Sequence, residues 1–167
     1  MYGSMTKEEL VVIRVLFVCL GNICRSPMAE AVFRHKVKEA GLAGVIEADS
    51  AGTSGWHEGE PPHHGTRRVL DRHGIDYSGI FARPVVREDF HKFDYIVAMD
   101  DRHVQDLEHI FGGKKHPRLF RLLDLQPDCE NKNVPDPYYH GNFDEVHEMI
   151  DRGCDLLLAH IRENDGL

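Results

Sequence analysis

The sequence predicts one domain built on an open, mostly parallel four-stranded α/β sheet with helices on both faces. Three observations carry that prediction. Apolar runs alternate with helical patterns along the chain, as successive βα units require. The first run, residues 11–18, is rich in Val, Ile, Leu and Phe and suits a strand buried on both sides. The chain has 167 residues and 41% hydrophobic content, a domain of ordinary size with a real core.

The elements follow in order. Residues 1–10 are polar, and Gly3-Ser4-Met5 looks like a cloning remnant before a second start methionine. They are read as a disordered or vector-derived N-terminus, and the domain as residues 11–167. After the first strand a short loop opens at Cys19. Ser26 is read as an N-cap and Pro27 as the first helical residue. That helix runs to residue 40, with Met28, Ala31, Val32 and Val37 on one face and Gly41 as its stop. Residues 45–51 make a second, weaker strand. Residues 52–64 form a loop rich in Gly, Pro and His that holds the only tryptophan, Trp56. A second helix spans 66–73, and the third strand 93–99. Asp100 and Asp101 cap a helix that runs to about residue 111, where Gly112-Gly113 ends it. Residues 118–123 supply the fourth strand. A long loop, 124–142, contains Val134-Pro135-Asp136-Pro137-Tyr138-Tyr139, and a closing helix spans 143–162. Its core side carries Val146, Met149, Ile150, Leu157 and Ile161, and Gly153 weakens its middle by about 1 kcal/mol against alanine. Right-handed crossovers place sites beyond the carboxyl ends of the strands. Cys19, Trp56 and Asp100 follow strands one, two and three, so they share one rim.

Composition narrows the function. A net charge of −8 argues against general nucleic-acid or membrane binding. No apolar run approaches the ~20 residues needed to span a bilayer. Four cysteines without a C-x-x-C pair fit a reduced, cytoplasmic protein. His57, His63 and His64 close no metal-ligand set, and no cofactor is called for.

The chemistry concentrates in Val-Cys-Leu-Gly-Asn-Ile-Cys-Arg-Ser-Pro, residues 18–27. Strand, short loop and helix N-terminus make an anion site from loop amides and the helix dipole. Cys19 adds a thiol at the start and Arg25 a guanidinium at the end, with Leu20, Gly21, Asn22, Ile23 and Cys24 between them. A thiol at a helix N-terminus beside an arginine generally ionises early, at roughly pH 3.5 to 7.5. Arginine offers a planar fork to two phosphoryl oxygens. Gly21 and Asn22 tolerate the left-handed backbone that lets amides converge. Such a loop can bind a phosphate, or another oxyanion, and also attack it. Asp136, stiffened between two prolines, suits a proton donor for a leaving group such as tyrosine, whose pKa is near 10. Cys24 lies close enough to Cys19 in sequence to serve as a resolving thiol under oxidation.

These residues closely resemble the signature of the low-molecular-weight protein tyrosine phosphatases. The resemblance continues through Ser50-Ala51-Gly52-Thr53, Trp56, His73-Gly74-Ile75 and Asp136-Pro137-Tyr138-Tyr139, in the family's order and spacing. It implies a flavodoxin-like strand order of 2-1-3-4. It implies hydrolysis of phosphotyrosine in proteins, and of small aryl phosphates, through a phosphocysteine. Cys19 is then the nucleophile, Arg25 the phosphate clamp and Asp136 the general acid. Asn22, Ser50 and His73 brace the loop, and Ser26 hydrogen-bonds the thiolate. Trp56, Tyr138 and Tyr139 wall the substrate cleft. One departure stands out: the family commonly opens its second helix with an Asp-Pro-Arg-like run, and here His63-His64-Gly65 stands there.

Four rivals remain at the level of sequence. Arsenate reductases share the Cys-loop-Arg but need further cysteines, and residues 74–128 hold none. Protein arginine phosphatases typically carry threonine where this chain has Ile23. A phosphocysteine carrier or a silent phosphotyrosine-binding module has no need of Asp136.

Overall fold

The computed structural model describes residues 11–167, and the reading of residues 1–10 lies outside that span. Four strands, β1 (Ile13–Cys19), β2 (Ile46–Gly52), β3 (Tyr95–Ala98) and β4 (Leu119–Arg121), form one parallel sheet in the order β2-β1-β3-β4. Around it lie α1 (Arg25–Glu39), α2 (His64–Arg72), α3 (Asp89–Lys92), α4 (Asp101–Ile110), α5 (Pro137–His140) and α6 (Phe143–Asn164).

The first strand is central, which explains its composition. Every residue of β1 except Arg14 is buried. Alternate side chains enter opposite layers, as the strand period of two requires. Val15 and Phe17 join α1 and α6 through Phe33, Val37, Ile150 and Leu157. Leu16 and Val18 join α4 through Leu107 and Phe111. The chain leaves β1 toward β2 on one side, and β3 flanks it on the other. The carboxyl end of β1 is therefore the switch point where such sheets open a crevice, and Cys19 ends that strand.

Some boundaries differ from the sequence reading, each for a local reason. The first helix begins at Arg25, and its N-cap is Cys24 with no side-chain cap. Ser26 is thus not the N-cap but a first-turn residue turned into the loop. The fourth strand lasts three residues because a 3-10 turn, Leu122–Leu125, takes over. The loop over 124–142 hides α5, which Asp136 caps by accepting the Tyr138 N–H at 3.1 Å.

Candidate active site

The loop after β1 curls because its carbonyls are tied outward. Cys19 O accepts from Thr53 N–H at 2.9 Å, and Leu20 O from Ser54 N–H at 3.0 Å. Ile23 O accepts from His63 N–H at 2.7 Å, and Cys24 O from the Thr66 hydroxyl at 3.2 Å. In a trans peptide the C=O and the next N–H point opposite ways. Anchoring these four carbonyls outward therefore aims the N–H groups of Leu20, Gly21, Cys24 and Arg25 into the curl. Gly52 allows the first two ties: a Cβ there would stand 2.7 Å from Leu20 O and 2.9 Å from Ser54 O.

Asn22 turns the loop. Its φ of 56° is the one positive value at a non-glycine residue among the described residues. Its amide is fully used: Nδ2 donates to Ser26 Oγ at 2.8 Å and to Ser50 Oγ at 3.0 Å, and Oδ1 accepts from Arg83 N–H at 3.0 Å. Ser26 Oγ also lies 2.9 Å from Cys19 Sγ. Since Ser26 accepts from Asn22, its one proton is left for the sulfur. Ser50 in turn donates to Glu30 Oε1 at 2.6 Å. A continuous buried chain thus runs Cys19, Ser26, Asn22, Ser50, Glu30. Burial pushes the Glu30 carboxyl up to about 7; the Ser50 bond works against that rise, and Asp49 adds to it.

Arg25 closes the far side. Nη1 donates to Asp100 Oδ2 at 3.0 Å and to Val134 O at 2.9 Å, and Nη2 is 3.6 Å from Asp136 Oδ2. Arg25 is 4% exposed, so these contacts fix its guanidinium between the loop after β1 and the 134–136 segment. Burial, then Arg25, pushes His103 down to about 4, so this neighbour of Asp100 is neutral at ordinary pH.

Above the loop lies a cleft of about 220 Å³. Cys19, Cys24, Arg25 and Asp136 line it together with Ile23, Trp56, His57, Tyr138 and Tyr139. Trp56 is 91% exposed and Tyr139 75%, so the rim is aromatic and open. Cys24 is buried, and burial with the nearby Cys19 raises its thiol. All four cysteines are free.

The model of the low molecular weight phosphotyrosine protein phosphatases matches residues 14–166. The chain belongs to that family. Low molecular weight protein-tyrosine-phosphatase YfkJ of Bacillus subtilis is 52% identical over 155 residues, covering 93% of this chain and 99% of the relative. PtpA of Staphylococcus epidermidis is 43% identical over 155 residues, covering 93% and 97%. The crystal structure of YfkJ superposes with a TM-score of 0.90 over 92% of this chain and 96% of that one. A structure titled drosophila arginine phosphatase gives 0.82 at 33% identity, over 90% and 98%.

Within this phosphatase fold one implied brace is misplaced. His73 makes no hydrogen bond to the loop among the described residues. It is the exposed C-cap of α2, and its ring stacks on His147 at 4.2 Å. The N-terminal end of α2 meets the loop, and nine residues of helix carry His73 roughly 13 Å away. Sequence reasoning also missed Glu30, Thr66 and Arg83, and it placed Asp100 on the rim as a helix cap without foreseeing its bond to Arg25. Glu30 had a signal, a lone acid in the apolar run Met28-Ala29-Glu30-Ala31-Val32-Phe33. Thr66 had none, and Arg83 acts through its backbone N–H, which no side chain advertises. The His63-His64-Gly65 departure proves to be a structural junction: His63 caps α2 and stacks against Phe143.

Proposed function

We propose that this phosphatase hydrolyses phosphotyrosine in proteins, and small aryl phosphates, through a phosphocysteine intermediate. The observation that carries this reading is the disposition of Cys19, Arg25 and Asp136 around one aromatic-walled cleft. The sulfur sits at the base with a hydroxyl donor at 2.9 Å, and the guanidinium lies 3.6 Å from the Asp136 carboxylate. The inward amides and Arg25 stabilise the three equatorial oxygens of a metaphosphate-like transition state. Cys19 sulfur attacks phosphorus, the bond to the aryl oxygen breaks, and Asp136 gives its proton to the departing phenolate. Asp136, now a carboxylate, takes a proton from water. That water attacks phosphorus and breaks the P–S bond, releasing phosphate and regenerating the thiolate. Ser26 stabilises the sulfur's charge, while Asn22 and Ser50 hold the curl. Trp56, Tyr138 and Tyr139 supply aryl-stacking walls. No metal or cofactor enters.

A phosphoarginine substrate is the second reading, favoured by the likeness to the drosophila arginine phosphatase. Ile23 counts against it. It is buried at 7% exposure on the cleft wall, and its branched chain offers no hydroxyl.

The test is phosphate release from p-nitrophenyl phosphate, a phosphotyrosine peptide and a phosphoarginine peptide, with wild type, Cys19→Ser and Ile23→Thr. Turnover on both aryl substrates, lost in Cys19→Ser, is expected, with phosphoarginine gaining ground in Ile23→Thr. A wild type faster on phosphoarginine would transfer the assignment, and no phosphate release would leave a carrier or a binding module.

A further inference from the structure

Three parts of the site converge on His63, a residue outside the reaction scheme. Its backbone N–H donates to Ile23 O at 2.7 Å and so helps aim the Cys24 amide. Its Nδ1 accepts the Gly65 N–H at 3.0 Å, capping α2. The first turn of that helix presents the Thr66 hydroxyl to Cys24 O, which aims the Arg25 amide. The ring itself stacks on His64 at 4.3 Å and on Phe143 at 5.2 Å. It meets the Tyr138 ring edge-on at 5.6 Å, and Tyr138 N–H is the donor that holds Asp136 Oδ1. Gly65 is required for this packing, because a Cβ there would fall 2.5 Å from the Phe143 ring.

We propose that His63 is a positioning residue that couples the phosphate loop to the general-acid loop, through a cap that its imidazole makes only while neutral. The inference rests on the phosphatase reading above. Nδ1 accepts a hydrogen bond only while it carries no proton. A protonated ring turns that acceptor into a donor facing the Gly65 N–H and sets a positive charge against the positive end of the helix dipole. The α2 first turn then loosens, and with it the ties to Ile23 and Cys24. The charged and titratable neighbours are His64 and Arg67 on α2, His57 on the loop after β2, and Asp136 and Tyr138 on the acid loop. Burial, His64, Arg67 and His57 favour the neutral ring, and Asp136 opposes them. The cap is thus intact at neutral pH and fails in acid.

The two arms of the coupling are separable by substitution. His63→Asn keeps a capping acceptor that does not titrate and removes the ring. His63→Phe keeps a ring and removes the acceptor. Sulfate affinity by calorimetry reads the phosphate loop without needing turnover, and sulfate stays a dianion across the range used. Turnover on an ordinary phenyl phosphate against one with a strongly acidic phenol reads the general acid. His63→Phe is expected to weaken sulfate by about 5-fold, the worth of one lost cap, with little change in the leaving-group ratio. His63→Asn should bind sulfate within about 2-fold of wild type yet slow selectively on the ordinary phenyl ester. Wild type should lose sulfate affinity relative to His63→Asn as pH falls from 7 to 5, and any effect of Cys19 cancels in that ratio. Indistinguishable Asn and Phe variants, or a flat ratio with pH, would overturn the proposal. A wild type inert on every aryl ester would instead sink the phosphatase reading, and the sulfate series would still decide the capping arm.

Discussion

Asn22 does two things that pull against each other. It adopts a left-handed backbone that costs a side-chain-bearing residue about 1–2 kcal/mol, and it repays this with three buried hydrogen bonds. Asn22→Gly accepts the backbone and loses the bonds, while Asn22→Ala loses both. Urea unfolding should place the Gly variant about 1 kcal/mol above the Ala variant, with turnover poor in both. Equal turnover in wild type and Asn22→Gly would show that the amide braces nothing. Glu30 gives a pH-dependent counterpart. Its folded value of about 7 stands above the ordinary 4.5. The folded state therefore holds the proton more tightly. Its contribution is full below pH 4.5 and is lost as pH rises through 7, by up to about 3 kcal/mol. Glu30→Gln should match wild type in melting experiments near pH 4.5 and exceed it at pH 8. No gain at pH 8 would mean the buried carboxylate is better solvated than its surroundings suggest. At this scale the sequence revealed side chains whose chemistry is specific to their type, such as Cys19, Arg25, Asn22 and Asp136. It did not reveal the backbone N–H of Arg83 or the hydroxyl of Thr66, because tertiary approach alone creates those contacts. His73 misled because a motif carries identity and not direction.

At the scale of elements, the acid-bearing turn is a short, separate unit. Asp136 caps α5 with Oδ1 and faces Arg25 with Oδ2, and Pro135 and Pro137 restrict the backbone on both sides. The proposed general-acid role calls for a group held in one direction in this way. Asp136→Asn keeps the cap acceptor and removes the proton, so folding should survive. Hydrolysis of phosphotyrosine should slow by about 10² to 10⁴, and esters of strongly acidic phenols much less. A leaving-group series run on both proteins checks this, and equal losses along the series would reduce Asp136 to a structural cap. The long periodic elements were readable because burial imposes their pattern: β1 is apolar since both faces are covered, and α6 shows its core stripe. The four-residue helices α3 and α5 were not, being too short for a period to show. Gly153 illustrates the limit. Propensity alone counts it as a defect in α6, whereas a Cβ there would stand 2.6 Å from Leu122 Cγ. The helix gives up local stability so that the turn after β4 can pack against it.

Over the whole molecule, the site is assembled from parts distant in sequence. Cys19 ends β1, Ser50 and Gly52 belong to β2, Asp100 follows β3, and Val134 and Asp136 come from the segment before α5. Arg25 alone ties residue 25 to residues 100, 134 and 136. An oxyanion bound in the loop is expected to bridge these elements, and its binding energy then adds to global stability. At one hundred times the dissociation constant that is about 2.7 kcal/mol, worth about 5–10 °C in melting temperature for a domain of this size. Sulfate also stabilises proteins by exclusion from their surface, so the specific part must be isolated. Cys19→Ser keeps the amides and the guanidinium and should show the full shift. Arg25→Ala removes the clamp and the ties to Asp100 and Val134, and should show only the general salt effect at the same sulfate concentration. Thermal melts of wild type and both variants in sulfate, against sodium chloride of equal ionic strength, measure the difference directly. If Arg25→Ala gained as many degrees as wild type, the anion would be stabilising the surface and not the curled loop. If Cys19→Ser gained none, the sulfur, and not the amides with Arg25, would be what holds the oxyanion.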